Sequence, residues 1–241
     1  MTKLKIAPSK QSREFVTFMT KCHIVFRNIF RRFFDYKTDV LLGLEYRPHY
    51  ALCCLLAAEN ASKIGVKRLK VFELGCAGGS GLIDLQYLTK RVERYTGVSF
   101  EIHGFDCGTG LPPSDDWRDC LYLWEDGDFP MDMDKLQANL LPTTQLHLGN
   151  VADTLDSACQ VSDCPIGVVF FDMDYYTSTM SALGTLSLLP PSSLLPRTIT
   201  YFDDLLNTSD YSGELLAINE FNSLSEDRKI SRIPQLPSFL S

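Results

Sequence analysis

A run of small residues placed directly after an apolar segment constrains this chain more than any other feature. In residues 71–81, VFELGCAGGSG, the apolar run carries one acidic residue, Glu73, and then passes through Gly75, Ala77 and Gly79. Glycines let a backbone turn tightly and approach a ligand, and the first turn of a following helix has unpaired N–H groups. The segment therefore predicts a strand, a tight turn and a helix, with a ligand site at the turn.

Five short apolar runs rich in Val, Ile, Phe and Leu alternate with longer helical or loop segments. This alternation is typical of an α/β domain that has a mostly parallel sheet with helices on both faces. The first helix after the glycine turn has an apolar stripe formed by Leu82, Leu85, Leu88 and Val92. The predicted strands are residues 69–74, 100–105, 144–148, 167–171 and 198–202, and the predicted helices are residues 50–64, 82–95, 133–140, 178–188 and 213–224.

The length of 241 residues suits a single α/β domain, which routinely reaches roughly 250 residues. We expect an N-terminal helical extension over residues 1–65 and the main, ligand-binding domain over residues 66–241. The stretch of residues 107–142 is longer than a usual connection and contains two tryptophans before its helix. We predict that it is an inserted lid or substrate loop, because binding residues often lie in such loops.

Charge is distributed unevenly along the chain. Residues 1–37 hold nine Lys and Arg against Glu14 and Asp35, a balance of +7, so the remainder carries −14 to give the net charge of −7. An acidic body repels the phosphates of a nucleic acid, whose neutralisation by Lys and Arg normally dominates binding. We therefore expect no nucleic acid partner, and the composition favours a small molecule or a sugar.

The basic N-terminal arm carries Phe26, Ile29, Phe30 and Phe33 at helical spacing. Such a helix packs on the domain or on a second subunit, or it lies on a membrane surface. We favour packing and expect no membrane association, because no apolar run approaches the ~20 residues of a membrane span and none resembles a secretory signal. A cytoplasmic location is the resulting expectation.

A second acidic residue ends the next predicted strand, where Asp106 follows residues 100–105. At the carboxyl edge of an α/β sheet, such a carboxylate accepts hydrogen bonds from both hydroxyls of a ribose. A nicotinamide-dependent oxidoreductase is disfavoured, because the glycines lack the G-x-G-x-x-G spacing and a dinucleotide does not need Glu73, which can hold an ammonium group. The remaining alternative is a surface turn with an incidental Asp106.

These residues resemble the class I S-adenosylmethionine (SAM)-dependent methyltransferases. The resemblance covers roughly residues 69–204, with the first motif over residues 73–79 and the second at Asp106. It implies a Rossmann-like α/β fold, with residues 66–241 as a SAM-binding methyltransferase domain. It also implies cofactor contacts from Glu73, Gly75, Ala77 and Gly79 at the methionine part of SAM, from Asp106 at the ribose and from Asn150 near the adenine.

Four carboxylates follow the fourth and fifth predicted strands: Asp172 and Asp174 after one, Asp203 and Asp204 after the other. Because these strands are expected to be neighbours, the four side chains should meet at one edge of the sheet. A cluster of this kind is costly without a cation, and ligands that are all oxygen favour Mg²⁺ or a similar hard ion. The alternative is that these residues cap strand ends or helices and bind no metal.

The same residues resemble the metal-dependent O-methyltransferases of the macrolide-sugar type, which carry a D-x-D-x-Y-x-S-T run and a later Asp-Asp pair. Residues 172–179 match the run, and Asp203 and Asp204 match the pair. The resemblance implies catalytic roles for Asp172 and Asp174 and a metal held by Asp172, Asp203 and Asp204. Such a metal lowers the pKa of a substrate hydroxyl and aims its oxygen at the methyl group.

The C-terminal part is shorter than this fold normally requires. After Asp204 only 37 residues remain, which suffice for one helix and a strand-like segment at residues 229–233, without the usual seventh strand. Either a partner subunit completes the sheet edge in a homo-oligomer, or the chain is a shortened relative. The two competing functions are therefore SAM-dependent O-methylation of a small hydroxylated molecule or sugar, and a catalytically degenerate binding or scaffold protein on the same fold.

Overall fold

A parallel five-stranded sheet forms the centre of the protein. In the computed structural model, which describes residues 33–159, 164–206 and 208–233, the strand order is β3-β2-β1-β4-β5. All four pairings are parallel. The strands are β1 (Arg68–Leu74), β2 (Ser99–Asp106), β3 (Thr144–Leu148), β4 (Ile166–Phe171) and β5 (Leu194–Phe202).

Seven helices accompany the strands in the described residues. They are α1 (Tyr36–Leu41), α2 (Pro48–Lys63), α3 (Ser80–Thr96), α4 (Met133–Gln137), α5 (Val151–Cys159), α6 (Tyr176–Leu188) and α7 (Gly213–Leu224), with short 3₁₀ turns at Trp117–Asp119 and Pro191–Ser193.

Apolar side chains bury both faces of the sheet. On one face, Tyr50 and Leu55 of α2 and Leu85 of α3 pack in one core with the strands. On the other face, Leu155 of α5 and Leu183 of α6 pack in a second core. This arrangement confirms the predicted α/β fold with a mostly parallel sheet and helices on both faces.

Helix α3 follows the sequence pattern closely. It begins after Gly79 and ends at Gly97, both in the left-handed region with φ of 75° and 74°. The predicted stripe of Leu82, Leu85, Leu88 and Val92 is buried. Because glycine adopts this conformation without steric cost, the two glycines fix where the helix starts and stops.

Two helices were not predicted from the sequence, α1 and α5. In α5, Val151, Leu155, Ala158 and Cys159 recur at helical spacing, and the last three are buried, so this helix could have been predicted from its pattern. Residues 229–233, in contrast, were expected to form a strand, and this prediction is wrong, because they have no regular secondary structure.

The side chain of Asn222 explains the missing strand. Its Nδ2 donates a hydrogen bond to the carbonyl of Ile230 at 2.8 Å, and its Oδ1 accepts one from the N–H of Ile230 at 2.7 Å. The backbone N–H and carbonyl of Ile230, within this segment, are thereby bound to a side chain of α7. Among the described residues, the sheet has no sixth or seventh strand.

The predicted extension over residues 1–65 is described only from residue 33, so the predicted basic helix before it lies outside the described residues. Helix α2 belongs to that extension, yet Tyr50 and Leu55 share a core with β1 and β4. The division at residue 65 stays a prediction. Within the part of the chain that the structure describes, no helix has the length and apolar character needed to cross a membrane.

Candidate active site

A cavity of about 400 Å³ lies at the carboxyl ends of the strands. The chain runs outward from β1 to β3 and then returns to β4 on the other side of β1. Parallel sheets bind ligands at such a reversal of strand order. Eight of the predicted site residues line this cavity, namely Gly75, Ala77, Asp106, Asn150, Asp172, Asp174, Asp203 and Asp204, while Glu73 and Gly79 are not among its lining residues.

The turn after β1 depends on the absence of a side chain at Gly75. Its φ is +85°, and a Cβ atom there would lie 1.8 Å from the carbonyl oxygen of Asp172. Ala77, two residues later, also has a positive φ of 43°. The backbones that follow β1 and β4 therefore touch at the floor of the cavity, which only glycine permits.

Asp106 fastens this turn to the end of β2. Its Oδ2 accepts hydrogen bonds from the N–H groups of Cys76 at 2.9 Å and Ala77 at 2.8 Å. Its Oδ1 accepts one from the N–H of Gly108 at 2.6 Å. A carboxylate has about four acceptor positions, so at least one remains for a ligand hydroxyl. The predicted contact with a ribose stays a prediction.

Glu73 lies beneath the turn rather than in the cavity wall. Its side chain is 2% exposed, and the hydroxyl of Tyr50 donates a hydrogen bond of 2.9 Å to its Oε1. Burial raises the pKa of Glu73 to about 8, although the Tyr50 hydrogen bond acts in the opposite direction. The second oxygen, Oε2, has no hydrogen-bond partner among the described residues. The carboxyl group is therefore held largely protonated near neutral pH.

Gly79 has a packing role in the structure. A Cβ atom at this residue would lie 2.2 Å from Cδ1 of Leu136 in helix α4. The small residue thus lets α4 pack against the start of α3. Its predicted contact with a cofactor stays a prediction.

Asn150 stands at the start of α5. Its Oδ1 accepts a hydrogen bond of 2.9 Å from the N–H of Ala152, and its carbonyl accepts one of 3.1 Å from the N–H of Thr154. The residue therefore caps the helix while it lines the cavity. The predicted position near an adenine stays a prediction.

Four carboxylates line the opposite part of the cavity. Burial, followed by the carboxylates of Asp203 and Asp204, raises the pKa of Asp172 to about 7. Burial, followed by the carboxylate of Asp204, raises the pKa of Asp174 to about 8. These neighbouring carboxylates disfavour the charged form of one another, and a side-chain hydrogen bond between Asp174 and Asp204 adds to the shift of Asp174. As arranged here, the described residues include no group of three or more His, Cys, Asp or Glu with the geometry to hold a metal ion.

An aromatic group next to these carboxylates was not predicted. The rings of His49 and Tyr201 stack with centroids 4.8 Å apart, and the hydroxyl of Tyr201 donates a hydrogen bond of 3.0 Å to Asp203. Burial lowers the pKa of His49, which keeps the imidazole neutral. The sequence contains no signal for this contact, because His49 and Tyr201 lie on distant segments.

Glu214 supports the carboxylate cluster from below. Its side chain is fully buried, and it accepts a hydrogen bond of 3.1 Å from the N–H of Asp204. Burial raises the pKa of Glu214 well above its ordinary value. In the sequence, only its position shortly after Asp203 and Asp204 indicated that Glu214 lies near the carboxylate cluster.

The loop between β2 and α4, residues 107–132, covers one side of the cavity with Leu111, Pro112, Trp124 and Phe129. This placement agrees with the lid or substrate loop expected from its length.

Asp119, which is fully buried, fixes the loop to helix α6. It accepts hydrogen bonds from the N–H and the hydroxyl of Thr177, both at 2.8 Å. The hydroxyl of Ser114 donates another at 2.6 Å. The loop is thus anchored at a defined point on the first turn of α6.

The chain matches no protein-family model and no curated protein. It is similar to the crystal structure of CalS11, a calicheamicin methyltransferase, with 18% identity over 97% of this chain and 92% of that chain and a TM-score of 0.58. It is also similar to apo CalS11, described as a TDP-rhamnose 3'-O-methyltransferase in calicheamicin biosynthesis, with 19% identity over 97% and 94% of the two chains and a TM-score of 0.50. At this identity the likeness concerns the fold. The chain therefore has a Rossmann-like methyltransferase fold, as the sequence predicted.

Proposed function

We propose that this protein is a SAM-dependent methyltransferase that methylates a hydroxyl oxygen on a small molecule or sugar. One observation carries the proposal. A single cavity joins the glycine turn and Asp106 on one side to Asp172, Asp174 and their neighbours on the other. A cofactor on the first side would present its methyl group to a hydroxyl held on the second.

The cofactor side has the chemistry that SAM needs. Gly75 and Ala77 bring backbone close to the methionine part, and Asp106 keeps acceptor capacity for a ribose hydroxyl. Asn150 lines the cavity at the start of α5, where an adenine would lie. Glu73 is part of the same proposal as a contact of the methionine part of SAM, although its carboxyl group is buried and does not line the cavity.

The acceptor side supplies a base. Burial and the neighbouring carboxylates raise the pKa of Asp174 to about 8, so its ionised form, a minority near neutral pH, is a stronger base than an ordinary aspartate. SAM, when bound, would supply the methyl group and become a thioether. The carboxylate of Asp174 would take the proton of the acceptor hydroxyl as the methyl group passes to its oxygen. Most of the rate enhancement comes from the alignment of oxygen and methyl group.

Mg²⁺ belongs to the same proposal. The donors are carboxylate oxygens, which suit a hard cation, and the mutual repulsion of Asp172 with Asp203 and Asp204 would be relieved by one. Their present arrangement does not form a ligand set, so these side chains would have to rearrange to hold the ion. When bound, the ion would supply Lewis acidity that lowers the pKa of the acceptor hydroxyl.

A sugar is the acceptor that we favour. CalS11, which shares the fold, is described as a sugar O-methyltransferase. The cavity also has polar carboxylates beside the rings of Trp124 and Phe129, a combination that suits a hydroxylated ring. A homo-oligomer that completes the sheet edge beyond β5 and a cytoplasmic location are parts of the same proposal.

The second candidate is a catalytically degenerate binding or scaffold protein. The observation in its favour is the five-stranded sheet, which lacks sixth and seventh strands within the described residues. Such a protein would retain the cofactor cavity without turnover.

Turnover separates the two candidates. The purified protein is incubated with SAM, Mg²⁺ and a set of glycosides and nucleotide sugars, and release of the demethylated cofactor is measured. Release that Asp174→Asn removes supports the enzyme, because that variant keeps the size of the side chain but cannot take the proton. SAM binding with no release for any acceptor supports the degenerate protein.

A further inference from the structure

A second cavity, of about 450 Å³, lies between the loop of residues 107–132 and helix α7. It shares no lining residue with the cavity described above. Its walls are Asp116, Trp117, Arg118, Tyr211, Leu216 and Glu220.

Two of the residues that line this cavity are aromatic and largely exposed to solvent. Trp117 is 69% exposed and Tyr211 is 74% exposed. Single exposed apolar residues are common, but two large rings that face one cavity together with polar groups are typical of a binding site. A Trp and a Tyr offer flat apolar faces with a polar edge, which suits a ring that carries hydroxyl groups.

Arg118 is held in place before any ligand arrives. Its guanidinium donates to both carboxylate oxygens of Asp116 and to the hydroxyl of Tyr176 at 2.9 Å. It also lies 4.1 Å from the ring centroid of Tyr176. The hydroxyl of Tyr176 in turn donates to Glu220 at 2.5 Å. A guanidinium has five N–H groups, so some remain for a ligand hydroxyl.

The charge of both cavities is unfavourable for phosphate. Arg118 is the only Lys or Arg that lines either cavity in the described part of the chain, and the carboxylate of Asp116 already neutralises it. Glu220 adds a negative charge to the second cavity. A diphosphate would therefore meet carboxylates instead of the cationic groups that normally bind it.

The first turn of helix α6 has a residue on the side of each cavity. Tyr176 contacts Arg118 of the second cavity, whereas Ser178, two residues later, lines the first.

We propose that the second cavity binds an uncharged ring of a glycoside, remote from the hydroxyl that is methylated. The assignment to an acceptor rests on the proposed function. Binding of an uncharged ring in the second cavity also defines the substrate class as a neutral glycoside rather than a nucleotide-diphosphate sugar. The apolar face of the ring stacks on Trp117 and Tyr211, and its hydroxyls bond to Arg118 and Glu220.

Saturation-transfer NMR tests the assignment with two probes, p-nitrophenyl α-L-rhamnopyranoside and TDP-rhamnose. The proteins are the wild type, Trp117→Ala and the matched control Tyr87→Ala. Tyr87 is 67% exposed and lines neither cavity, so its truncation removes a comparable ring at an unrelated place. Calorimetric titration with SAM is repeated for every protein, because Trp117 does not line the cofactor cavity.

The neutral glycoside should bind the wild type and Tyr87→Ala alike, with a roughly fivefold weaker affinity for Trp117→Ala. The affinity for TDP-rhamnose should not fall when Trp117 is replaced by Ala. Equal glycoside binding in all three proteins, no glycoside binding to the wild type, or loss of TDP-rhamnose binding in Trp117→Ala would overturn the assignment. Absence of SAM binding would instead refute the proposed function, while Trp117-dependent glycoside binding would still support the cavity as a ring-binding site.

Discussion

The hydroxyl of Tyr50 donates a hydrogen bond of 2.9 Å to the carboxyl group of Glu73, beneath the turn that follows β1. The same carboxyl group leaves no room for a side chain at Gly81, where a Cβ atom would lie 1.9 Å from Oε1. Tyr50 itself stacks on Phe170 with ring centroids 4.0 Å apart. Helix α2 and strand β4 therefore help to set the position of a residue that the sequence assigns to the cofactor.

Glu73 should make stability depend on pH. Its pKa in the folded protein is about 8 against an ordinary 4.5, so the folded state binds the proton more tightly. The stabilisation is complete below the ordinary value and is lost as the pH rises to about 8, with a slope of up to about 1.4 kcal/mol per pH unit. Glu73→Gln should flatten the urea unfolding free energy over this range, whereas the exposed control Glu226→Gln should not. An unchanged slope in Glu73→Gln would contradict the assignment.

Gly75→Ala should damage both stability and cofactor binding. The new Cβ would collide with the carbonyl of Asp172 at a residue whose φ is +85°. We expect a loss of at least about 2 kcal/mol of unfolding free energy. Gly78→Ala is the control within the same turn, since a Cβ atom there meets nothing within 4 Å. Thermal unfolding of the two variants tests this prediction. Similar melting temperatures would show that the close approach of residue 75 to the carbonyl of Asp172 does not limit stability.

Asp119→Ala should loosen the loop over the cavity. It removes the acceptor for the N–H of Thr177 and for two hydroxyls, so we expect a loss of about 2 to 3 kcal/mol. The loop should then become more sensitive to limited proteolysis. The control Asp126→Ala removes an exposed carboxylate from the same loop. Equal proteolysis of the two variants would rule out Asp119 as the anchor.

Asp172→Asn should weaken binding of a divalent cation. Mn²⁺ serves as the probe, and electron paramagnetic resonance follows the loss of free ion. Because removal of a metal ligand costs more than the roughly 10- to 100-fold of an outer-sphere change, we expect at least about 100-fold weaker binding. Asp128→Asn removes the same charge from the loop side of the cavity and should bind Mn²⁺ as the wild type does. No Mn²⁺ binding to the wild type would remove the metal from the proposal.

The sequence was sufficient to predict the sheet and the group of residues at its edge. Each strand is an apolar run that stops at glycine or an acidic residue, and parallel topology brings those ends together, so Asp106 and Asp172 could be assigned to one cavity. Asp203, which follows the next strand, could be placed there by the same argument.

The contacts that hold this edge could not be predicted in the same way. Tyr50 and Glu73 are 23 residues apart, and Asp119 and Thr177 are 58 residues apart, without any local pattern that links them. Such pairs depend on how helices and loops pack on the sheet. For the same reason, the burial of Glu73 beside Tyr50 could not be predicted, and its contact with a cofactor stays a prediction.

Calorimetric titration with SAM of the wild type and of Asp106→Ala tests the central claim most directly. Asp106→Ala removes the acceptor for the backbone of the glycine turn and for a ribose hydroxyl, while Asp115→Ala removes an exposed carboxylate that does not line the cavity. We expect SAM to bind the wild type and Asp115→Ala, and to bind a folded Asp106→Ala at least about 100-fold more weakly. No binding to the wild type, or undiminished binding to Asp106→Ala, would contradict the account.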